Sequence, residues 1–358
     1  MNKLRKVKFN ELYKISSGIS TSKEQYGRGF PFLSFREVFK NYFLPDKLAD
    51  LLDTSIIEQE KFSIKKGDIF ITRTSETLDE LAMSSVALKD YPRATFSGFL
   101  KRLRPINDEV YSKYIAFFLR SRYFRKAINN NTIMTLRASF NEDIFSFLDL
   151  YLPNYKEQVK IGDLLYNIEK KIQINTKIND NLEKQMKLLF DYWFVQFEFP
   201  NENGKPYKSS GGKMYFNDKL NLKIPYTWNQ CSLKEYANNI ITGKTPPKNK
   251  ESYFNGNIPF VTIPDLRDNL FIINTEQKLS EFGADYQKSK YLPKDSLCIS
   301  CIATLGEFSF TTEVCQTNQQ INSIIFKEKF IKEFAYFFLK NIFENLSVKT
   351  GNTFKNMN

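Results

Sequence analysis

The sequence predicts an α+β protein in which one domain occurs twice, with a long, coiled-coil-forming helix between the copies. Three observations lead to this prediction: segments that repeat at an offset of about 220–228 positions, a heptad pattern in mid-chain, and short strand-like runs followed by helical ones. The length of 358 residues also fits two domains, because a single core rarely grows beyond about 250–300 residues.

The repeat is defined by landmark segments that recur in the same order. Residues 17–20 match 242–245, 30–33 match 258–261, 66–71 match 293–298, and 114–120 match 334–340. Short strands are predicted at 69–72, 85–88, 297–301 and 322–326, and late aromatic helices at 112–128 and 331–346. Identity is low between the landmarks, so the copies are expected to share a scaffold and to differ in their loops. The alternative is an old duplication whose loops simply drifted.

A long helix is predicted to follow Pro153 and to run to about Trp193. Apolar or amide residues recur in it at alternating steps of four and three, which is the a/d seam of a coiled coil. The seam comprises Ile161, Leu165, Ile168, Ile172, Asn175, Asn179, Leu182, Met186 and Leu189. The alternative is a lone amphipathic helix packed on its own domain, but a seam of this length favours a partner helix.

The net charge of +12 predicts a polyanionic partner. Nucleic acid is the first such partner and an anionic membrane surface is the second; a merely solubilising surface charge is the alternative. No apolar run reaches the ~18–20 residues needed to span a membrane, and no apolar stretch follows the basic N-terminus as in a signal peptide. We therefore expect a cytoplasmic protein without a membrane partner.

The residues that most often carry catalysis are missing. The chain has no histidine, which removes the commonest general base and a common metal ligand. Residues 243–245 (GKT) resemble the end of a phosphate-binding loop, but Asn238 stands where that loop needs its first glycine. Cys298 and Cys301 form a CxxC pair, for which a zinc site is the alternative to buried structural cysteines. We predict no catalytic residue, no metal and no cofactor in this chain.

Several segments together resemble the specificity subunit of type I restriction–modification enzymes. They are residues 152–158 (LPNYKEQ) with Ile161, residues 188–194 (LLFDYWF), the polar linker at 199–208, Ile224-Pro225 with Trp228, and residues 242–247 (TGKTPP). The resemblance covers essentially the whole chain. It implies a first target recognition domain at 1–152, a spacer helix at 153–195, a linker at 196–227 and a second target recognition domain at 228–358.

The resemblance also implies what the chain works with. Each domain would read one half of a bipartite double-stranded DNA site, and the spacer helix would set the gap and dock methyltransferase subunits. S-adenosylmethionine, ATP and Mg²⁺ would be bound by those subunits and by a restriction subunit, not by this chain. No second Pro-x-x-x-Glu-Gln segment follows the second copy, so we expect the family's second conserved helix to be lacking and the seam to be open for a partner or for self-association.

DNA contacts are expected from basic and amide side chains in polar loops. In copy one the candidates are Lys23, Gln25, Arg28, Arg36, Arg73, Thr74, Ser75, Arg93, Arg137 and Ser139, with Arg73 and Arg137 favoured. In copy two they are Lys244, Lys248, Lys250, Arg267, Lys288, Lys290, Gln316, Asn318, Gln319 and Gln320. For each, a solvated surface role is the alternative. Two other functions stay open: a freestanding DNA-binding decoy or regulator of restriction, and a nuclease that uses carboxylates and Mg²⁺.

Overall fold

An antiparallel sheet organises the first copy of the repeat. The computed structural model describes residues 4–75, 81–131, 138–139, 149–302 and 304–350. The sheet of copy one has the strand order Tyr13–Ser17, Leu100–Pro105, Ile69–Thr72 and Ser84–Val86. Side chains alternate across a strand, so Ile69 and Ile71 enter one hydrophobic core and Phe70 enters another on the opposite face. The run Ile69–Thr72 is therefore a central strand that is buried on both faces.

A mixed sheet and short helices complete copy one. The mixed sheet has the order Asp50–Leu52, Tyr26–Leu33 and Thr95–Phe96. Two short antiparallel pairs join Arg5–Lys8 to Asp149–Leu152 and Thr74–Ser75 to Ala138–Ser139. The helices are Phe9–Leu12, Phe35–Lys40, Ile56–Lys61, Ser112–Phe118 and Arg122–Asn131.

The single helix predicted at 112–128 is wrong, because the structure has two helices there. The hydroxyl of Ser121 accepts a hydrogen bond from Phe124 N at 3.3 Å and so caps the second helix. Between them, the Arg120 guanidinium donates to the carbonyl groups of Val38, Phe39, Asn41 and Ser84. The break lets the half-buried Arg120 join the helix pair to the helix Phe35–Lys40 and to the strand Ser84–Val86.

Copy two repeats the two-sheet plan. Its larger sheet has the order Ala237–Thr242, Ile321–Phe326, Leu297–Ser300, Phe308–Thr311 and Phe271–Ile272. Its smaller sheet has the order Gln277–Leu279, Phe254–Val261 and Gln316–Thr317. A hairpin of Met214–Asn217 and Leu222–Pro225 precedes them. The helices are Leu233–Tyr236, Ile263–Leu266, Glu281–Asp285 and Lys332–Thr350.

The two copies agree even in their irregularities. In copy one the strand pairing shifts by a bulge between Tyr26 and Phe30, and in copy two it shifts between Phe254 and Ile258. A bulge is specific to its position in a sheet, so its recurrence is strong evidence for a common scaffold. The predicted α+β fold with a duplicated domain and an intervening long helix is confirmed.

One landmark pairing is corrected by a single residue. The landmark segments match Asp68 with Asp295. In the structure, Ile69 pairs with Leu103 in copy one, and Leu297 pairs with Ile324 at the same place in copy two, so Ile69 corresponds to Leu297. Gly67 and Asp295 therefore correspond, and both have a left-handed backbone, with φ of +88° and +70°. A shift of one residue inverts the faces of a strand, so the correction decides which side chains are comparable.

The central helix, Tyr155–Phe190, crosses from one unit of the chain into the next. The chain consists of two compact units, Met1–Ile178 (unit one) and Asn179–Asn358 (unit two). The prediction that the helix reaches Trp193 is nearly correct, because a π-helical turn, Asp191–Val195, follows its end. Asn154 accepts a hydrogen bond from Glu157 N through its side chain at 3.1 Å, which is a typical N-cap.

Within unit one, the start of this helix packs closely on the helix Ser112–Phe118. A Cβ atom on Gly162 would lie 2.7 Å from Tyr114 N, so only glycine fits there. Asp163 accepts hydrogen bonds from the Tyr111 hydroxyl and the Lys113 ammonium, both at 2.8 Å. These contacts hold the first turns of the central helix on copy one.

Within unit two, the end of the central helix packs on the helix Lys332–Thr350. Glu183 accepts hydrogen bonds from the Tyr336 hydroxyl at 2.9 Å and from the Lys340 ammonium at 2.6 Å. The ring of Phe190 lies 5.4 Å from that of Phe334, centroid to centroid. The hydrogen bond with Lys340 is the main cause that lowers the pKa of Glu183. Burial alone would lower the pKa of Lys340, but its bonds with Glu183 and Tyr336 outweigh that effect and raise it to about 12.

This ion pair predicts an acid-sensitive contribution to the stability of unit two. A carboxylate whose pKa is lowered by folding stabilises the native state above its unfolded pKa, and the contribution is lost as the pH falls through the folded value. We expect Glu183→Gln to lower the urea midpoint at about pH 7 and to lower it less at an acidic pH well below the ordinary pKa of glutamate. Equal losses at both pH values would contradict an electrostatic role for Glu183.

The predicted linker at 196–227 folds back on itself through aromatic stacking. The ring of Phe199 stacks on Tyr207 at 4.7 Å and on Trp228 at 5.4 Å, in each case with an interplanar angle of 18°. The side chain of Asn201 accepts hydrogen bonds from Asn203 N and Lys205 N and shapes the turn. In the part of the chain that the structure describes, no helix is long and apolar enough to cross a membrane.

Candidate nucleic-acid interface

A tight turn lies at the same place in each copy. A glycine from a loop that is distant in the sequence packs against the turn and fixes its position. We call it the glycine-packed turn: residues 97–99 in copy one and 318–320 in copy two. A Cβ atom on Gly18 would lie 2.2 Å from Ser97 O, and one on Gly243 would lie 2.1 Å from Asn318 O. Neither position therefore accepts a side chain. The repeated Gly in the first landmark segment is explained by this close approach.

Main-chain hydrogen bonds hold the turn identically in both copies. Ile19 N donates to Phe96 O, and Lys244 N donates to Thr317 O, both at 2.9 Å. Leu100 N closes the first turn on Ser97 O, and Ile321 N closes the second on Asn318 O. Because these bonds involve only the backbone, the exposed side chains of Phe99 and Gln319 do not determine the shape of the turn.

The exposed side chains of the two turns differ in chemistry. Copy one presents Gly98 and Phe99, and the Phe99 side chain is 64% exposed. Copy two presents Gln319, which is exposed, and Gln320, which is half-buried. An apolar ring and a pair of amides contact different groups on a base edge. The same backbone therefore offers two different recognition surfaces.

A cation flanks each turn. In copy one, Arg73 N donates to Phe99 O at 2.9 Å, and the Arg73 side chain is exposed. In copy two, Lys244 is exposed and lies next to the turn through its backbone bond to Thr317. Residues 242–250 carry three lysines and no acidic residue. A phosphate backbone is attracted to such a segment.

Copy two also carries a basic–aromatic surface that begins at Lys244. The Lys244 ammonium lies 5.6 Å from the ring centroid of Tyr286, and that of Lys250 lies 5.2 Å from the ring of Tyr253. The Tyr253 ring lies 5.2 Å from Tyr286 and 5.3 Å from Phe282. Tyr286 and Phe282 are exposed. Tyr253 is buried and supports these two exposed rings, and exposed rings next to lysines are suited to sugar, base and phosphate contacts.

The structure brings two of the predicted copy-one segments together. Thr74–Ser75 pairs with Ala138–Ser139 as a short antiparallel ribbon, with Ser75 opposite Ala138 and Thr74 opposite Ser139. The ribbon follows directly after Arg73, which is itself bonded to the glycine-packed turn. Arg137, one of the two favoured candidates, lies outside the described residues.

Other copy-one candidates gather at the bulge of the strand Tyr26–Leu33. Gln25 uses its amide within the loop, since its oxygen accepts from Ser22 N at 3.0 Å. Arg28 pairs with Asp53 at 3.3 Å. Arg93 is exposed, and its guanidinium lies 3.8 Å from the ring centroid of Phe30. Among these three candidates, Arg93 is the one whose cation lies over an aromatic ring.

The remaining candidates are placed as follows. Exposed positions away from the turns are occupied by Lys23, Arg36, Lys248, Arg267 and Lys288, while Lys290 is half-buried. The prediction of DNA contact is wrong for Gln316, which is fully buried. Its amide donates to Ala284 O at 2.9 Å and accepts from Gln287 at 2.7 Å. Asn318 is 9% exposed, and its side-chain oxygen accepts from Gln320 N, so it shapes the turn.

Sequence reasoning missed Phe99, Thr245, Tyr253, Phe282 and Tyr286. An isolated aromatic residue in a folded chain usually lies in the hydrophobic core, and nothing in the sequence distinguishes an exposed aromatic residue from a buried one. The one available signal was the repeat itself. A position that follows a shared glycine landmark and differs between the copies is a candidate for recognition.

The predicted seam of the central helix is open to solvent. All of its residues are exposed except Leu165, which is half-buried. Exposed fractions of 50% at Ile168, 55% at Ile172 and 52% at Leu182 are unusual for large aliphatic side chains of a folded protein. The coiled coil stays a prediction.

The cysteine pair does not form a metal centre. Cys298 packs in the core with Ile241 and Val261, whereas Cys301 packs in the other core of copy two with Phe308. Three residues along a strand place the two thiols on opposite faces. Burial raises the pKa of Cys298 to about 12 and also raises that of Cys301, as expected for structural thiols.

Comparisons with known proteins agree with the repeat. The chain is 28% identical to the type I restriction enzyme HindI specificity subunit of Haemophilus influenzae, covering 86% of this chain and 76% of that protein. It is 33% identical over 103 residues to the EcoprrI specificity subunit of Escherichia coli, covering 28% of this chain and 25% of that protein. The fold is similar to the crystal structure of a type I restriction–modification S subunit from M. genitalium, with a TM-score of 0.56 and 14% identity over 99% of this chain and 84% of that one.

The family description matches both copies of the repeat. The type I restriction modification DNA specificity domain matches residues 2–184 and 225–358. The match thus includes both glycine-packed turns and most of the central helix. The chain therefore belongs to the family of type I restriction–modification DNA specificity domains, and it is a non-catalytic subunit that recognises DNA.

Proposed function

We propose that this subunit reads a bipartite double-stranded DNA site, one half with each copy, and docks its methyltransferase subunits along the central helix. The observation that carries the proposal is the pair of glycine-packed turns. They have the same backbone, flanking cations and different exposed side chains. A shared scaffold with unlike contact residues is what two half-sites of different sequence require.

The length of the central helix suits it to set the gap between the half-sites. Its 36 residues span about 54 Å at ~1.5 Å per residue. B-DNA repeats about every 34 Å, so the helix is longer than one turn of the DNA. The helix is anchored at its first turns by Gly162 and Asp163 and at its last turns by Glu183 and Phe190.

The exposed seam supports docking of other subunits or of another copy of this chain. Large apolar side chains that stay in water on one face of a helix favour burial by a partner helix. We propose that methyltransferase subunits occupy this face and that a restriction subunit joins through them. The cofactors S-adenosylmethionine, ATP and Mg²⁺ are then bound by those partners and not by this chain.

Methylome sequencing of cells with and without this gene tests the proposal. The expected result is one bipartite methylated motif that vanishes when the gene is deleted and returns on complementation. A motif that persists after deletion overturns the proposal. If no motif depends on the gene although the purified chain binds a defined DNA sequence, the alternative of a freestanding decoy or regulator of restriction is favoured.

The lysines of the basic–aromatic surface give a sharper test of copy two. We expect Lys244→Gln combined with Lys250→Gln to weaken binding to all DNA sequences and to reduce the slope of log K against log salt by about 2. Each lysine that contacts a phosphate releases about one counterion, which is the reason for this value. Titration of labelled duplex DNA at several salt concentrations measures it.

Lys219→Gln combined with Lys223→Gln is the matched control, because it removes the same two charges from exposed positions of the hairpin at 214–225. It should leave the salt slope unchanged. An equal change in the control would show that net charge, and not this surface, determines binding.

A further inference from the structure

We infer that Gln319 is a specificity-determining residue that reads an adenine edge in the half-site of copy two, and that Thr245 is its positioning residue. The inference rests on the proposed function. It is drawn from a hydrogen bond on the exposed side of the second glycine-packed turn. The Thr245 hydroxyl donates to the Gln319 side-chain oxygen at 2.5 Å.

This bond determines which end of the amide points away from the loop. The oxygen is held towards Thr245, and among the described residues none accepts a hydrogen bond from the Gln319 side-chain nitrogen. The two N–H groups of the amide and the second lone pair of its oxygen are therefore available to bind DNA. A glutamine pairs with adenine by donating to N7 and accepting from the N6 amino group, which uses both of these groups.

The loop that carries Thr245 is held from beneath by buried amides. Gln287 donates to Lys244 O at 2.8 Å and to the Gln316 side-chain oxygen at 2.7 Å. Gln316 in turn donates to Ala284 O at 2.9 Å. Gln287 and Gln316 are 4% and 0% exposed. A reading side chain needs such a rigid support, because an amide that is free to rotate loses discrimination.

A phosphate-binding group lies beside the reading group. Lys244 precedes Thr245 in the chain and is exposed above the ring of Tyr286. Contact of Lys244 with the DNA backbone would place the neighbouring amide at the groove, since phosphate contacts fix the register of a protein on DNA. Lys244 is thus placed to contact a phosphate group while Gln319 contacts a base edge.

Copy one lacks this device at the equivalent position. Gly98 corresponds to Gln319, and Phe99 corresponds to Gln320, as the bonds from Arg73 N to Phe99 O and from Cys301 N to Gln320 O show. An exposed phenyl ring makes apolar contacts, for which a thymine methyl is a partner, but it does not bind a polar base edge. Changes at Gln319 should therefore affect one half-site only.

Selection from a randomised duplex library tests the inference. The full chain, co-expressed with its methyltransferase subunits, is compared as wild type, Gln319→Ala, Gln319→Glu, Thr245→Val and Thr245→Ser. We expect Gln319→Ala to reduce discrimination at one adenine of one half-site on the order of 10- to 100-fold and to leave the other positions unchanged. Gln319→Glu should change the preferred base at that position to cytosine, because a carboxylate only accepts hydrogen bonds.

The Thr245 variants separate positioning from general structure. Thr245→Val should relax the same base pair and no other, and Thr245→Ser should restore the preference because it keeps the hydroxyl. Phe99→Ala is the matched control, which should affect only the other half-site. Thermal unfolding confirms that each variant is folded.

The selection experiment distinguishes failure of the inference on Gln319 from failure of the proposed function. If wild type selects a bipartite motif and Gln319→Ala leaves it intact, or weakens binding to all sequences equally, the inference on Gln319 is overturned while the proposed function stands. If wild type selects no bipartite motif, the proposed function itself fails and the inference falls with it.

Discussion

Gly243→Ala is expected to destabilise unit two by about 3 kcal/mol, in the range of overpacked interiors. The added methyl would lie 2.1 Å from Asn318 O and 2.4 Å from Thr317 O. Both are backbone atoms in a turn that is held by its own hydrogen bonds, so neither can move away without breaking them. The glycine-packed turn must therefore open.

Urea unfolding followed by tryptophan fluorescence measures this effect. Both tryptophans, Trp193 and Trp228, lie in unit two, so the signal reports that unit. Gly204→Ala is the matched control: no atom lies within 4 Å of the added carbon, and only the positive φ of +70° opposes it. It should cost about 1 kcal/mol. A loss at Gly243 no larger than at Gly204 would contradict the packing argument.

Asp68→Ala is expected to be the most damaging single change in unit one, at about 3–5 kcal/mol. The Asp68 side chain is fully buried. It accepts two hydrogen bonds from the Arg104 guanidinium, both at 2.7 Å, and one from Lys65 N at 2.8 Å. The hydrogen bond with Asp68 raises the pKa of Arg104. Alanine would leave the partly buried Arg104 cation without its counter-charge and the Lys65 N–H group without an acceptor, which is the costly way to break a buried pair.

Copy two suggests a rescue for this variant. The position of Asp68 is taken there by Ser296, whose hydroxyl donates to Pro293 O at 2.8 Å. The strand register places Ile325 where copy one has Arg104. The double change Asp68→Ser with Arg104→Ile should therefore recover most of the lost stability, because the buried charge is removed together with its partner.

Far-UV circular dichroism during urea unfolding measures both variants. Asp46→Ala is the matched control, since Asp46 is 91% exposed and lies 3.9 Å from the Lys89 ammonium. No measurable change is expected there. A double variant as unstable as Asp68→Ala would show that the site needs the ion pair itself.

The sequence predicted the architecture well because its signals are periodic. The heptad spacing located the central helix to within a few residues, and the repeated glycine landmarks located both copies. The helix break at Ser121 was missed, because a cap inside an aromatic helical run depends on what Arg120 contacts in distant strands. The strand register was displaced by one residue, since Gly67 and Asp295 both adopt a left-handed turn and no identity marks the match.

The candidate interface was predictable only in part. Basic residues in loops were found by composition, and Lys244 and Arg73 do lie beside the glycine-packed turns. The burial of Gln316 could not be predicted, because a glutamine in a polar segment looks the same in the sequence whether its amide is buried beneath a loop or exposed on it. The exposure of Phe99 and Tyr286 arises from tertiary packing and has no local signal.

The way in which the glycine-packed turn is built has a consequence for evolution. Its shape depends on main-chain bonds, on a glycine that packs against it and on the side chain of Ser97 or Asn318, not on the exposed side chains of Phe99 and Gln319. If the turns read DNA as proposed, mutations at Phe99 and Gln319 change which DNA is recognised and are nearly neutral for folding. A lineage that carries this chain can acquire new target sequences by single substitutions, without first gaining the excess stability that most new functions require.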